Sequence, residues 1–175
     1  MAIERCAVLG AGLMGSGIAA HLANAGFPVL LLDMEQRAAA AIDKLKKADP
    51  APLMTPDAAK LITPGSFDDL SGLAACDWII EVIVEDLAAK RAMYDRVDAV
   101  RKPGSIVSSN TSTIPLASLA KKQSDAFRAD FCITHFFNPP RYMRLLELVT
   151  GPETRPEVGA ELAQLCDVRL GKGVV

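Results

Sequence analysis

Short apolar runs alternate with stretches of helical periodicity along most of this chain. Residues 6–9 read as a short buried strand and 13–25 as a helix closed by Gly26. Residues 29–32 read as a second strand ending at Asp33. Continuously apolar strands separated by helices predict a mostly parallel sheet covered on both faces. Right-handed crossovers then make the fold doubly wound, an α/β architecture of Rossmann type.

The pattern loosens after Asp33. Residues 36–47 are rich in Ala and Lys and predict a helix, which Asp49-Pro50-Ala51-Pro52 breaks. Thr55-Pro56-Asp57 has the form of an N-cap with proline at the first helical position. A helical insertion is therefore expected after the second strand. Ile62 and Thr63 predict a short strand stopped by Pro64-Gly65. Alternation then resumes, with strands over 78–84, 105–109, 131–137 and 145–149. Helices are expected over 87–101, 114–122 and 153–170, and Gly173-Val174-Val175 begins a further element.

Composition narrows the function classes. With 175 residues, half of them hydrophobic, the chain has material for one well-filled domain. A formal charge of -2 gives no electrostatic case for nucleic acid or an anionic membrane. No apolar run approaches the length of a membrane span. The start, Met1-Ala2-Ile3-Glu4-Arg5, lacks the pattern of a signal peptide. Cys6, Cys76, Cys132 and Cys166 are scattered, as expected of reduced, mostly buried thiols in a cytoplasmic protein. Neither disulfides nor a metal site is expected.

Two motifs carry chemistry. Gly10, Gly12 and Gly15, in Gly10-Ala11-Gly12-Leu13-Met14-Gly15, form a G-x-G-x-x-G between a strand and a helix. Such glycines serve a tight turn, close approach of a pyrophosphate, and helix–strand packing. The helix N-terminus offers unpaired N–H groups and a positive dipole to phosphates. Asp33 ends the next strand at the spacing of an acidic ribose ligand, roughly 20 residues on. It would repel a 2′-phosphate, so NAD is the expected cofactor. The alternative, glycines that serve only a turn and a solvated loop carboxylate, leaves this joint spacing unexplained.

The second motif is His135-Phe136-Phe137-Asn138-Pro139-Pro140, followed by Leu145-Leu146-Glu147-Leu148-Val149. Antiparallel pairing about a turn centred near Arg141 puts His135 directly opposite Glu147. Pro139-Pro140 stops the ladder from running into the connection. A carboxylate among leucines needs a partner. Glu147 would orient the imidazole and stabilise its protonated form, leaving the other ring nitrogen to act as a general base on an alcohol.

Together with Glu81-Val82-Ile83-Val84-Glu85, Lys90 and Ser109-Asn110-Thr111-Ser112-Thr113, these two runs resemble the 3-hydroxyacyl-CoA dehydrogenase family of fatty-acid β-oxidation. The resemblance extends over nearly the whole chain. The run from His135 to Leu148 is similar to a bacterial bifunctional subgroup in which the dehydrogenase precedes an enoyl-CoA hydratase module. The resemblance implies oxidation of a (3S)-3-hydroxyacyl-CoA by NAD, with His135 as base and Glu147 as its partner. It places Ser112 near the nicotinamide and the substrate hydroxyl. Leu13, Met14, Ile83, Val84, Glu85, Lys90 and Asn138 then join the glycines and Asp33 along the cofactor. It further implies an acyl-CoA substrate, a homo-oligomeric parent, and a C-terminal helical domain that these 175 residues do not include. On that expectation the 175 residues are one NAD-binding domain that turns over poorly by itself.

Plainer roles stand beside these. Ser112 can cap the next helix, Asn138 can serve a turn, Met14 can pack in the core, and Glu85 and Lys90 can be a helix-start carboxylate and a surface lysine. His21 reads as a helix-surface or satisfied core histidine, Trp78 as core, and Lys44, Lys46 and Lys47 as a solvated face. Two other functions compete. A non-catalytic dinucleotide-binding or structural relative would not need the His135/Glu147 pair. A β-hydroxyacid dehydrogenase shares the glycine loop but relies on a later lysine and lacks the run from His135 to Pro139.

Overall fold

A computed structural model describes residues 2–34 and 36–175. Its sheet has the order β3-β2-β1-β4-β5-β6-β7-β8. The strands are β1 (Cys6–Leu9), β2 (Val29–Asp33), β3 (Ile62–Ser66), β4 (Trp78–Glu81), β5 (Ile106–Ser109), β6 (Phe131–Phe136), β7 (Leu145–Thr150) and β8 (Gly173–Val174). From β3 across to β6 all pairs are parallel. β7 runs antiparallel to β6, and β8 runs parallel to β7. The expected doubly wound α/β sheet is therefore present, with a reversed margin at one side.

Side-chain alternation splits the core in two. Cys6, Val8, Trp78 and Ile80 face the layer of α1 (Leu13–Asn24), α2 (Arg37–Leu45) and α6 (Pro156–Val168). Ala7, Leu9, Ile79 and Val107 face the layer of α3 (Leu87–Asp98), α4 (Leu116–Ala120) and α5 (Asp125–Ala129). A two-residue period on strands that are buried on both faces produces this division. Polar atoms inside the sheet are paired. Trp78 Nε1 donates to Ser108 Oγ at 2.9 Å, and Ser108 Oγ lies 2.7 Å from Thr134 Oγ1. Trp78 is core, as expected, and all four cysteines are buried.

Three expected boundaries move. β3 continues through Pro64 and Gly65 to Ser66, pairing with β2 alone. Proline is tolerated there because an edge strand leaves its missing N–H on the open side. The helix expected over 114–122 begins only at Leu116, since the residue before Pro115 is held out of helical geometry. A second short helix, α5, follows under a Ser124 cap that accepts the Phe127 N–H at 3.0 Å. The strand expected to reach Val84 stops at Glu81. The insertion after β2 consists of α2 and a 3-10 turn, Pro56–Leu61.

Candidate active site

The strands β1, β4, β5 and β6 are neighbours, and their C-terminal ends deliver the loops that carry most of the predicted site residues. This rim is where open α/β sheets place ligands. Gly10 has φ +112, and a Cβ there would meet Val82 O at 2.5 Å. At Gly15 a Cβ would fall 1.8 Å from Gly10 O, so this glycine lets α1 close onto its loop. A Cβ at Gly12 would meet nothing within 4 Å, which leaves that stretch of backbone open to a ligand.

Gly12, the N-cap of α1, has no side chain to cap it, so the first N–H groups of the helix stay available to a ligand. The Asp33 carboxylate ties the loop to β2. Its Oδ2 accepts the Ala11 N–H at 2.6 Å and its Oδ1 accepts the Met34 N–H at 2.6 Å. Each oxygen keeps a second lone pair for a ribose hydroxyl. An open backbone cradle, free helix N–H groups and a fixed carboxylate together fit a dinucleotide.

Beside this loop lies a cleft of about 670 Å³ whose walls include Gly12, Leu13, Asp33, Lys44, Asn138 and Arg141. Leu13 is exposed on its wall, whereas Met14 packs against the core layer of α1. Arg141 and Tyr142 draw the β6–β7 connection across toward the insertion by donating to the Ala51 carbonyl, and Arg141 also reaches Leu53 O at 3.1 Å. Lys46 pairs with Asp43 on the solvent side at 3.1 Å. The cleft does not take in Glu85, Ser112, His135 or Glu147.

His135 and Glu147 are register partners across the antiparallel β6–β7 pair. His135 Nδ1 lies 2.7 Å from Glu147 Oε2, and Nε2 makes no hydrogen bond among the described residues. The His135 ring also packs at 4.5 Å, centroid to centroid, on Phe137. The side chains are 18% and 47% exposed, so the pair sits at the solvent edge of the sheet. Ser112 and Asn138 are exposed and make no side-chain hydrogen bonds among the described residues. Asn110 Oδ1 accepts the Phe136 N–H at 2.9 Å, which links the β5 loop to the histidine strand.

The loops after β4 and β5 hold a buried polar network. Glu81 is fully buried. Its Oε1 accepts Lys90 Nζ at 2.7 Å and the Ile83 N–H at 2.8 Å. Its Oε2 accepts Tyr94 Oη and Ser109 Oγ, each at 2.7 Å. Lys90 is 1% exposed and also pairs with Glu85 at 3.2 Å, so the surface-lysine alternative fails. Glu85 in turn accepts Thr111 Oγ1 and, at 3.0 Å, Thr113 Oγ1. Against a desolvation cost that pushes it up, the Thr111 hydroxyl and the Lys90 ammonium hold the Glu85 carboxyl below its ordinary range. Burial and the Glu81 anion push the Tyr94 phenol far up, so it stays a donor. Ile83 packs partly into the core while Val84 is exposed on the rim.

Glu81 is the residue that sequence reasoning missed as a site element. Its signal was present, a carboxylate inside the apolar run from Trp78 to Val84. Glu81, buried more deeply than Glu147, needs a partner still more. Among the described residues no cluster of His, Cys, Asp or Glu could hold a metal ion, and no helix is long and apolar enough to cross a membrane.

Strand order, glycine loop and acidic strand end define an α/β dinucleotide-binding domain. The profile of a family described as "3-hydroxyacyl-CoA dehydrogenase, NAD binding domain" matches residues 5–175, and the chain belongs to that family. It is 45% identical to a probable 3-hydroxyacyl-CoA dehydrogenase of Bacillus subtilis, over 99% of this chain and 25% of that protein. It is 41% identical to a putative fatty acid oxidation complex trifunctional enzyme of Rickettsia felis, again over 99% of this chain and 25% of that protein. The crystal structure of 3-hydroxybutyryl-CoA dehydrogenase from Escherichia coli superposes with a TM-score of 0.88 at 31% identity, covering 100% of this chain and 38% of that one. The chain thus spans well under half the length of each of these relatives.

Proposed function

We propose that this chain is the NAD-binding and proton-transferring part of a (3S)-3-hydroxyacyl-CoA dehydrogenase, which oxidises a 3-hydroxyacyl-CoA to the 3-oxoacyl-CoA in fatty-acid β-oxidation. The observation that carries the reading is the 2.7 Å contact between His135 Nδ1 and Glu147 Oε2, on the sheet rim that also bears the glycine loop. Bound NAD supplies the hydride acceptor. His135 takes the hydroxyl proton at Nε2, the nitrogen left free by Glu147. Glu147 fixes the tautomer that presents Nε2 as acceptor and stabilises the imidazolium that results. The Ser112 hydroxyl, without a hydrogen-bond partner among the described residues, holds the substrate oxygen in line, and Asn138 lies along the cofactor. Gly10, Gly12, Gly15, Leu13 and Met14 shape the phosphate loop, Asp33 takes the adenosine ribose, and Ile83, Val84, Glu85 and Lys90 border the nicotinamide half.

The lengths of the relatives support placing the acyl-CoA site partly on polypeptide beyond these 175 residues. A homo-oligomeric parent, fusion to an enoyl-CoA hydratase module and a cytoplasmic setting complete the proposal. The trifunctional relative supports the fusion, and four buried free thiols suit a reducing compartment. The test is spectrophotometric oxidation of NADH by acetoacetyl-CoA. The full gene product is expected to turn over. The 175 residues alone are expected to bind NADH with little turnover. Absence of activity in the full product, with NADH bound, would overturn the dehydrogenase reading.

A further inference from the structure

The Glu81–Lys90–Glu85 network contains more charge than anchoring a loop requires. Glu81 receives only donors: an ammonium, a backbone N–H, a phenol and a serine hydroxyl. Four donors to two oxygens is the contact set of a group that only accepts, as a carboxylate anion does. Lys90 is shared between Glu81 and Glu85, and Thr111 and Thr113 donate to Glu85. Two carboxylates and one ammonium leave one net negative charge. Glu81, Lys90 and Tyr94 are buried, so solvent screens the inner part of the set poorly and reaches it only at Glu85.

Strand order shows where this charge acts. Asp33, on β2, marks the adenosine side of the glycine loop, and His135, on β6, marks the reacting side. A dinucleotide whose phosphates rest on the start of α1 crosses the ends of β4 and β5 to reach His135. Glu81 is the last residue of β4, in register with Leu9 on one side and Ser109 on the other. Glu85, 42% exposed, is the part of the network that opens onto the rim. The oxidised nicotinamide carries a positive charge and the reduced ring carries none.

We infer that Glu81, Lys90 and Glu85 form an anionic seat under the nicotinamide end of the groove, and that it determines how strongly the domain prefers the oxidised cofactor. This rests on the proposed placement of the nicotinamide between the glycine loop and His135. Glu81 acts through Lys90 and Glu85 and is a positioning residue. The charge of the set, rather than any one contact, sets the preference.

The experiment measures equilibrium binding of NADH by its fluorescence, and of NAD⁺ by competition, on the folded chain. Glu81→Gln and Glu85→Gln each remove the net charge and are expected to lower the preference for NAD⁺ over NADH by roughly tenfold. Adding Lys90→Met to Glu81→Gln returns the net charge to its starting value and is expected to restore the ratio. A purely structural role predicts further damage in the double variant instead. Glu85→Gln, at the exposed end, keeps the test open should Glu81→Gln not fold. Binding of both forms with an unmoved ratio in the single variants would overturn the inference alone. Failure of the unmodified chain to bind either form would overturn the proposed function together with it.

Discussion

The parallel half of the sheet and its reversed margin handle polar groups in opposite ways. Under the rim of β4 and β5, Glu81 has a donor for every lone pair it offers and no solvent contact. Across the β6–β7 hairpin, His135 has one nitrogen paired and one with no partner among the described residues, beside a half-exposed Glu147. Leu145 and Val149, at 40% and 46% exposure, lie uncovered on the same strand. A fully satisfied network rigidifies and holds. A half-satisfied pair at a solvent edge can exchange a proton. On the proposed function, the parallel half binds and the hairpin reacts.

The sharpest way to break that comparison is His135→Gln in the full gene product. Gln keeps a polar side chain near Glu147 but cannot accept a proton. Turnover is expected to fall about 10³-fold with NADH binding nearly unchanged, since general-base catalysis contributes on this scale. Steady-state rates beside a fluorescence titration check it. Turnover like that of the unmodified enzyme would remove His135 from the chemistry.

Glu147→Gln is the next largest effect. It leaves a hydrogen-bonding side chain opposite His135 but removes the charge that, on the proposed mechanism, stabilises the imidazolium. A charge-assisted hydrogen bond is worth about 1.5–3 kcal/mol, so the maximal rate is expected to drop roughly 10–100-fold with the Michaelis constant for NADH held. A loss confined to that constant would move Glu147 to the binding half.

Much of this division was legible in the chain. Pairing of His135 with Glu147 followed from the two-residue period and from prolines that end the ladder, because strand register is local arithmetic. The glycine loop and Asp33 were legible because their spacing is set by one strand–helix–strand unit. What escaped depended on contacts between distant segments. The tie from Asp33 to the Ala11 N–H spans two strands, and burial of Lys90 depends on how α3 packs over β4. Arg141 and Tyr142 reach carbonyls in an insertion whose path no periodicity describes. β3 escaped for another reason. Pro64-Gly65 is a valid stop signal in a central strand, and only the edge position cancels it.

Within the binding half, two glycines separate ligand contact from packing. Gly12→Val places its side chain in open space, so stability is expected to hold while NADH affinity falls on the order of tenfold, as a blocked phosphate approach requires. Gly15→Ala drives a methyl into Gly10 O and is expected to destabilise by about 1–3 kcal/mol. Denaturant midpoints and NADH titrations on both variants distinguish the two. Equal loss of stability in both would show that the loop is only a turn.

The smallest effect tests the seam between the halves. His21, on α1, places Nε2 3.1 Å from Leu170 O just before β8, while its buried Nδ1 has no hydrogen-bond partner among the described residues. Burial, with the Lys172 ammonium nearby, lowers its pKa from 6.5 to about 4. A histidine held neutral in the fold takes up its proton more readily when unfolded. Its contribution is therefore complete above pH 6.5 and is lost as the pH falls from 6.5 toward about 4. By about pH 5.5 the fold should have lost about 1 kcal/mol from this group, or about 2–4 °C in melting temperature. His21→Gln keeps a donor for Leu170 O and removes the titration, so its melting temperature should vary less over the same range. An unchanged acid profile in that variant would mean that the two halves dock without His21 sensing the proton. The seam would then be held by Lys172, which donates to the Pro140 and Met143 carbonyls from the hairpin side.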